Sequence, residues 1–159
     1  MGRSKKAYDD VWRKAFFGVF RPKPKLSGSA WADKYRFMPP GTSAEPGEWR
    51  TSRTPYLREP MDVATDDETE RVVLMCSSQT GKSECLLNVL GYYMEQQPAP
   101  ILMLQPTLGM AAAFSKERID PMIRWSKVLC ELMPKAKEDG RGTSRKSGDT
   151  IFMKTFPGG

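Results

Sequence analysis

Histidine is missing from this sequence altogether. With it go the Ser/His/Asp and Cys/His routes to nucleophilic catalysis, imidazole-type zinc sites and any imidazole general base. Cysteine is scarce: Cys76, Cys85 and Cys130 are odd in number and form no C-x-x-C pair. Neither a zinc ribbon nor a disulfide framework is indicated, and reduced thiols in a cytoplasm-like compartment are expected. No apolar run approaches the roughly 18 residues of a membrane-spanning helix. The basic N-terminus spaces its apolar residues instead of joining them into the core of a signal peptide. Internal repeats are also absent.

What is present suits one modest globular core. The chain has 159 residues, 39% of them hydrophobic and 28% charged, which excludes a fully disordered or fibrous protein. Its net charge of +6 and pI near 9.3 favour an anionic partner. The charge is uneven. Residues 1–36 hold ten bases against three acids, residues 59–70 six acids and no base, and residues 134–154 six bases against three acids.

Tyr8, Val11, Trp12, Ala15, Phe16, Val19 and Phe20 recur at helical spacing and form one aromatic stripe. Asp9 and Asp10 lie in the first turn and Arg21 near the end, as the helix dipole prefers. Pro22 and Pro24 stop the helix, and Ser27-Gly28-Ser29 reads as a flexible joint. Two parts are expected: a basic helix and linker over 1–29, and the remainder, 30–159. The stripe either packs on its own domain or docks on a partner.

Residues 37–60 carry five prolines, so long regular elements are not expected there. Trp31 and Trp49 bracket this segment as candidate anchors to the core, and a short helix is expected from near Pro55 to the acidic run Asp66-Asp67-Glu68. Arg71–Met75 and Ile101–Leu104 are short continuous apolar runs of the kind that forms strands buried on both faces. A helical pattern through Leu86, Leu87, Val89, Leu90, Tyr93 and Met94 separates them. Helices are expected again from about Gly109 to Arg118 and from Asp120 to about Met133, and a strand over Thr150–Lys154. This order predicts an α/β fold with a parallel sheet and flanking helices.

One motif carries chemistry. Cys76-Ser77-Ser78-Gln79-Thr80-Gly81-Lys82-Ser83 fits G-x-x-x-x-G-K-[ST] with Cys76 in place of the first glycine. A loop between strand and helix presents successive backbone N–H groups to phosphate oxygens at the positive end of the helix. Gly81 allows close approach, the Lys82 ammonium reaches the β- and γ-phosphates, and the Ser83 hydroxyl is suited to Mg²⁺. ATP with Mg is the expected cofactor, with residues 77–83 its seat. No arginine lies between Cys76 and Lys82.

The segment Met75–Glu84 resembles the Walker A region of lambda-type (GpA family) phage terminase large subunits. Further stretches resemble that family in the same order: Trp31-Ala32-Asp33, Gly47-Glu48-Trp49, Arg53–Asp62, Gln105-Pro106-Thr107 and Phe114–Met122. The resemblance covers roughly residues 30–159. It implies the N-terminal portion of an incomplete P-loop NTPase-type sheet belonging to an ATP-driven motor that packages double-stranded phage DNA in the bacterial host cytoplasm. It also implies a small terminase subunit as partner, for which Tyr8, Trp12, Phe16 and Phe20 are the candidate docking residues, and a portal or procapsid for the full-length protein. Tyr56 or Arg58 then falls where related motors contact adenine, although Tyr56 also suits a structural role. Gln105 falls where such motors couple nucleotide to DNA, or simply caps the next helix.

Downstream of Ser83 no apolar strand ends in Asp or Glu, so the Walker B acid and the nuclease domain of the family are expected beyond Gly159. Binding of ATP without turnover by residues 1–159 is the resulting expectation. A helicase-like P-loop ATPase and a non-enzymatic module that only holds the small subunit are the other readings.

Overall fold

A computed structural model describes residues 24–41, 45–133 and 150–158. The aromatic stripe at Tyr8–Phe20 lies outside these residues.

Helix α1 (Gly28–Tyr35) begins where the sequence reads as a joint. The Ser27 side chain caps it by accepting from the Ala30 N–H. Gly28 and Ser29 are buried because they meet the end of helix α2 (Arg58–Ala64). The Gly28 N–H donates to Thr65 Oγ1 at 2.9 Å, and the Ser29 N–H and hydroxyl donate to the two Asp62 carboxylate oxygens at 2.8 and 3.0 Å. A Cβ at Gly28 would come within 2.4 Å of the Met61 carbonyl oxygen, so glycine is needed for this close approach. Local composition suggests flexibility here, but tertiary hydrogen bonds make it a helix start.

After α1 the chain forms a two-residue antiparallel pair, β1 (Phe37–Met38) with β2 (Gly47–Glu48). Two single 3₁₀ turns, Thr51–Arg53 and Pro55–Leu57, then lead into α2, as the proline content anticipates. Trp31 and Trp49 are both buried, and the Trp49 indole donates to Thr51 Oγ1.

Helix α3 (Lys82–Glu95) is the centre of the molecule. It packs against α1, against α2 and against α6 (Lys127–Leu132). Trp31, Leu57, Met61, Leu87, Tyr92, Met122 and Leu129 form the fully enclosed part of the core around it. The second helical region is more divided than its periodicity suggests. Helix α4 (Leu108–Phe114), capped by the Thr107 side chain, runs into a π-helical turn, Ser115–Ile119, and then α5 (Asp120–Trp125).

The expected parallel sheet is not formed among the described residues. Residues 71–75 and 101–104 make no ladder, and the described sheet is the antiparallel β1–β2 pair. Most of their side chains face outward, Met75 being 96% exposed and Leu102 83%, while Leu74 and Met103 are half-buried. A parallel strand is held by hydrogen-bonded neighbours and by helices on both faces, and these two runs have no strand neighbours among the described residues. Residues 150–153 form a tight turn instead of a strand, with the Thr150 N–H donating to the Met153 carbonyl at 2.8 Å and the Met153 N–H to Thr150 Oγ1. Thr150 satisfies the backbone locally, which competes with strand pairing. The observed architecture is therefore mixed: mainly helical, with one small antiparallel pair.

Candidate functional site

The loop 76–81 joins an exposed segment to the N-terminus of α3. Its path needs two residues in the left-handed region, Gln79 at φ 60° and Gly81 at φ 80°. Gly81 is the N-cap of α3 and is half-buried against Leu57, whose Cδ1 would lie 3.1 Å from a Cβ at 81. The requirement for glycine at this position is thus conformational as well as steric. The Thr80 hydroxyl donates back to the Ser77 carbonyl at 3.1 Å and ties the loop across its middle.

Lys82 turns over this loop. Its ammonium donates to the carbonyls of Cys76, at 3.0 Å, and Ser77, at 2.5 Å. The cation is thus held beside the loop backbone at the end of α3 where unpaired N–H groups concentrate. Ser77, Ser78, Gln79 and Ser83 are exposed, and Thr80 and Lys82 half-exposed. A cleft with about 620 Å³ of room opens beside the helix start, with Lys82 and Ser83 at one side and Pro60, Leu74, Leu86 and Leu104 among its apolar walls. The donor set fits a polyphosphate: one ammonium, one exposed hydroxyl for a divalent cation, and a loop of peptide groups at a helix N-terminus.

The two candidate base contacts lie on the neighbouring segment. Tyr56 is exposed, and Arg58 is exposed at the first position of α2. Leu57 between them packs on Gly81, so this block reaches the loop directly. Gln105 precedes α4 and is half-buried, but Thr107 supplies the cap, through its hydroxyl to the Met110 N–H at 3.2 Å. Tyr8, Trp12, Phe16 and Phe20 lie outside the described residues.

A charged cluster behind the loop is not evident from the sequence. Arg36, whose side chain is 2% exposed, donates to Glu84 Oε2 at 2.9 Å, to Asn88 Oδ1 at 3.2 Å and to the Phe37 carbonyl at 2.7 Å. Burial lowers the affinity of this guanidinium for its proton, and Glu84 opposes that shift. Glu84 Oε1 accepts from Arg118 at 3.4 Å. The only sequence signal was a lone base, Arg36, set in the otherwise uncharged stretch Tyr35–Pro40. Asp120, at the start of α5, pairs with Lys154 at 2.7 Å. Among the described residues no cluster of acids and cysteines is arranged to hold a metal ion, and no helix is long and apolar enough to cross a membrane.

Comparison with known proteins identifies the family. Residues 43–159 match the family model for the phage terminase large subunit gpA, ATPase domain. This chain belongs to that family. It is 30% identical over 141 residues to the large terminase subunit of Escherichia phage lambda, covering 89% of this chain and 21% of that protein. It is 32% identical over 135 residues to the large terminase subunit of Enterobacteria phage P21, covering 84% of this chain and 20% of that protein. The chain therefore spans about a fifth of the length of these relatives. No solved structure matches it at a significant level.

Proposed function

We propose that this chain is the nucleotide-binding portion of a terminase large subunit, seating the phosphates of ATP in residues 77–83 for a motor that packages double-stranded DNA. The observation that carries this reading is the conjunction at one helix end: Gly81 in the left-handed region, and the Lys82 ammonium folded over the Cys76 and Ser77 carbonyls. Lys82 would hold the phosphate chain. Ser83 would hold a Mg²⁺ bound with the nucleotide, and that ion would neutralise charge on the phosphates. Tyr56 and Arg58, brought to the loop by Leu57, are the proposed base contacts.

A P-loop-type parallel sheet is part of the proposal. Val73, Met75, Leu102 and Leu104 are exposed along two runs flanking α3 that pair with no strand among the described residues, as suits surfaces to be covered by further strands. The basic segment 1–29 is proposed to dock a small terminase subunit through Tyr8, Trp12, Phe16 and Phe20, with the portal or procapsid engaged by the longer protein in the host cytoplasm. Turnover by residues 1–159 alone is not expected. Glu84 and Asp120 are engaged by Arg36, Arg118 and Lys154 instead of being presented to a water.

The direct test is equilibrium binding of a fluorescent ATP analogue to the full chain with magnesium present. Saturable binding that Lys82→Ala weakens about tenfold or more supports the reading. Equal binding by both proteins overturns it.

A further inference from the structure

We infer that Arg118 is a positioning residue for the nucleotide, acting through Glu84 on the first turn of α3. The inference rests on the reading of residues 77–83 as the phosphate seat. Glu84 directly follows Ser83, so any tilt of its side chain is felt by the turn that carries Lys82 and Ser83. Its carboxylate is shared by two guanidinium groups of different character. Arg36 holds Oε2 at 2.9 Å and is itself fixed by burial and by bonds to Asn88 and the Phe37 carbonyl. Arg118 meets Oε1 at 3.4 Å from a side chain 41% exposed.

Arg118 also sits on unusual backbone. It belongs to the π-helical turn Ser115–Ile119, where the ladder of the preceding helix is interrupted. Such turns are held in place by local context and occur frequently where function requires them. The Ser115 hydroxyl in this turn is buried without a hydrogen-bond partner among the described residues, another sign that packing and not local bonding sets its shape. The Glu84–Arg118 contact is therefore a bridge between the start of α3 and the segment that begins at Gln105-Pro106-Thr107. Arg36 is the rigid side of the bridge and Arg118 the adjustable side.

A carboxylate at the helix end proposed to hold phosphates would, by charge alone, oppose nucleotide binding. This makes the two possible roles separable. If Arg118 acts as a bare positive charge, Glu84→Gln raises nucleotide affinity and Arg118→Lys behaves as wild type. If the contact positions the turn, Glu84→Gln lowers affinity despite removing a negative charge. Calorimetric titration of magnesium-ATP into the full chain decides between them, using Lys82→Ala, Arg118→Gln, Arg118→Lys, Glu84→Gln and the Arg118→Gln/Glu84→Gln double variant.

The expected result is a loss of about fivefold for Arg118→Gln and for Glu84→Gln, with the double variant losing no more than either single change. Arg118→Lys recovers part of the affinity, because it keeps the charge and loses the planar fork. Thermal melting of Arg118→Gln stays close to wild type, since the side chain is 41% exposed and meets Glu84 at the long distance of 3.4 Å. Additive losses, a gain on Glu84→Gln, or unchanged affinity for Arg118→Gln would overturn the inference. The Lys82→Ala arm reports separately on the phosphate seat: if it loses binding while the Arg118 and Glu84 variants do not, the bridge alone fails.

Discussion

The indole of Trp31 in α1 lies against Gly91 in α3 so closely that a Cβ at 91 would come within 2.2 Å of the ring. Both residues are buried, and Trp31 is fully enclosed. This contact lets α1 approach the helix that begins at the candidate phosphate loop.

Gly91→Ala must therefore displace the indole or separate the helices. The higher helix propensity of alanine offsets only about 1 kcal/mol of the resulting strain. A net loss of about 1–3 kcal/mol is expected, as for overpacking in other cores, and urea unfolding measures it. An unchanged midpoint would show that Trp31 has another place to go.

Arg36 is the buried hub of the cluster behind the loop. Its removal leaves Glu84 and Asn88 without their shared donor inside a mostly enclosed cluster. Arg36→Met should lower stability by roughly 3 kcal/mol, as when one partner of a buried pair is deleted. Adding Glu84→Gln should return part of that loss, because the carboxylate left with the longer Arg118 contact at 3.4 Å is then neutral. Denaturant midpoints of the two single variants and the double variant measure the coupling.

Much of this helical frame is legible in the sequence. The apolar spacing from Leu86 to Met94 is satisfied by α3, which ends at Glu95 next to the Gln96-Gln97-Pro98 break. Trp31 and Trp49 anchor the proline-rich segment as their size suggests. The runs 71–75 and 101–104 were less legible, because composition reports that a segment wants cover but not whether neighbours supply it. Thr150–Lys154 illustrates another limit, since the Thr150 hydroxyl closes a turn that apolar content alone does not reveal. In the site, Gly81 and Lys82 stand out by spacing. The Arg36–Glu84–Arg118 cluster does not, because its members are separated by 48 and 34 positions and meet only in the fold.

The three thiols should separate by exposure. Cys76 and Cys130 are exposed and Cys85 is buried. A thiol reagent under native conditions is expected to modify two cysteines quickly and the third only on unfolding. Magnesium-ATP should slow the reaction at Cys76, whose carbonyl already binds Lys82, and leave Cys130 unchanged. Mass spectrometry of the labelled peptides distinguishes the sites.

Cys85 also predicts sensitivity to alkali. Burial raises its thiol from 9.0 to about 11, so the unfolded chain releases this proton at lower pH than the folded one. The sign follows: the contribution is complete below about pH 9 and is lost as pH rises towards 11. The size is at most about 3 kcal/mol, and Cys85→Ala should flatten this part of the profile while lowering stability at neutral pH. Denaturant midpoints from pH 8 to 11 check both.

The loop before α3 is proposed to hold a nucleotide by its phosphate chain. Calorimetry of ATP, ADP and AMP against the full chain in magnesium buffer measures this. If Lys82 and the turn at Gly81 seat the phosphate chain, affinity falls in the order ATP, ADP, AMP, and Lys82→Ala removes most of the difference between ATP and AMP. Equal affinities for the three nucleotides, or an ATP preference that survives Lys82→Ala, would contradict it.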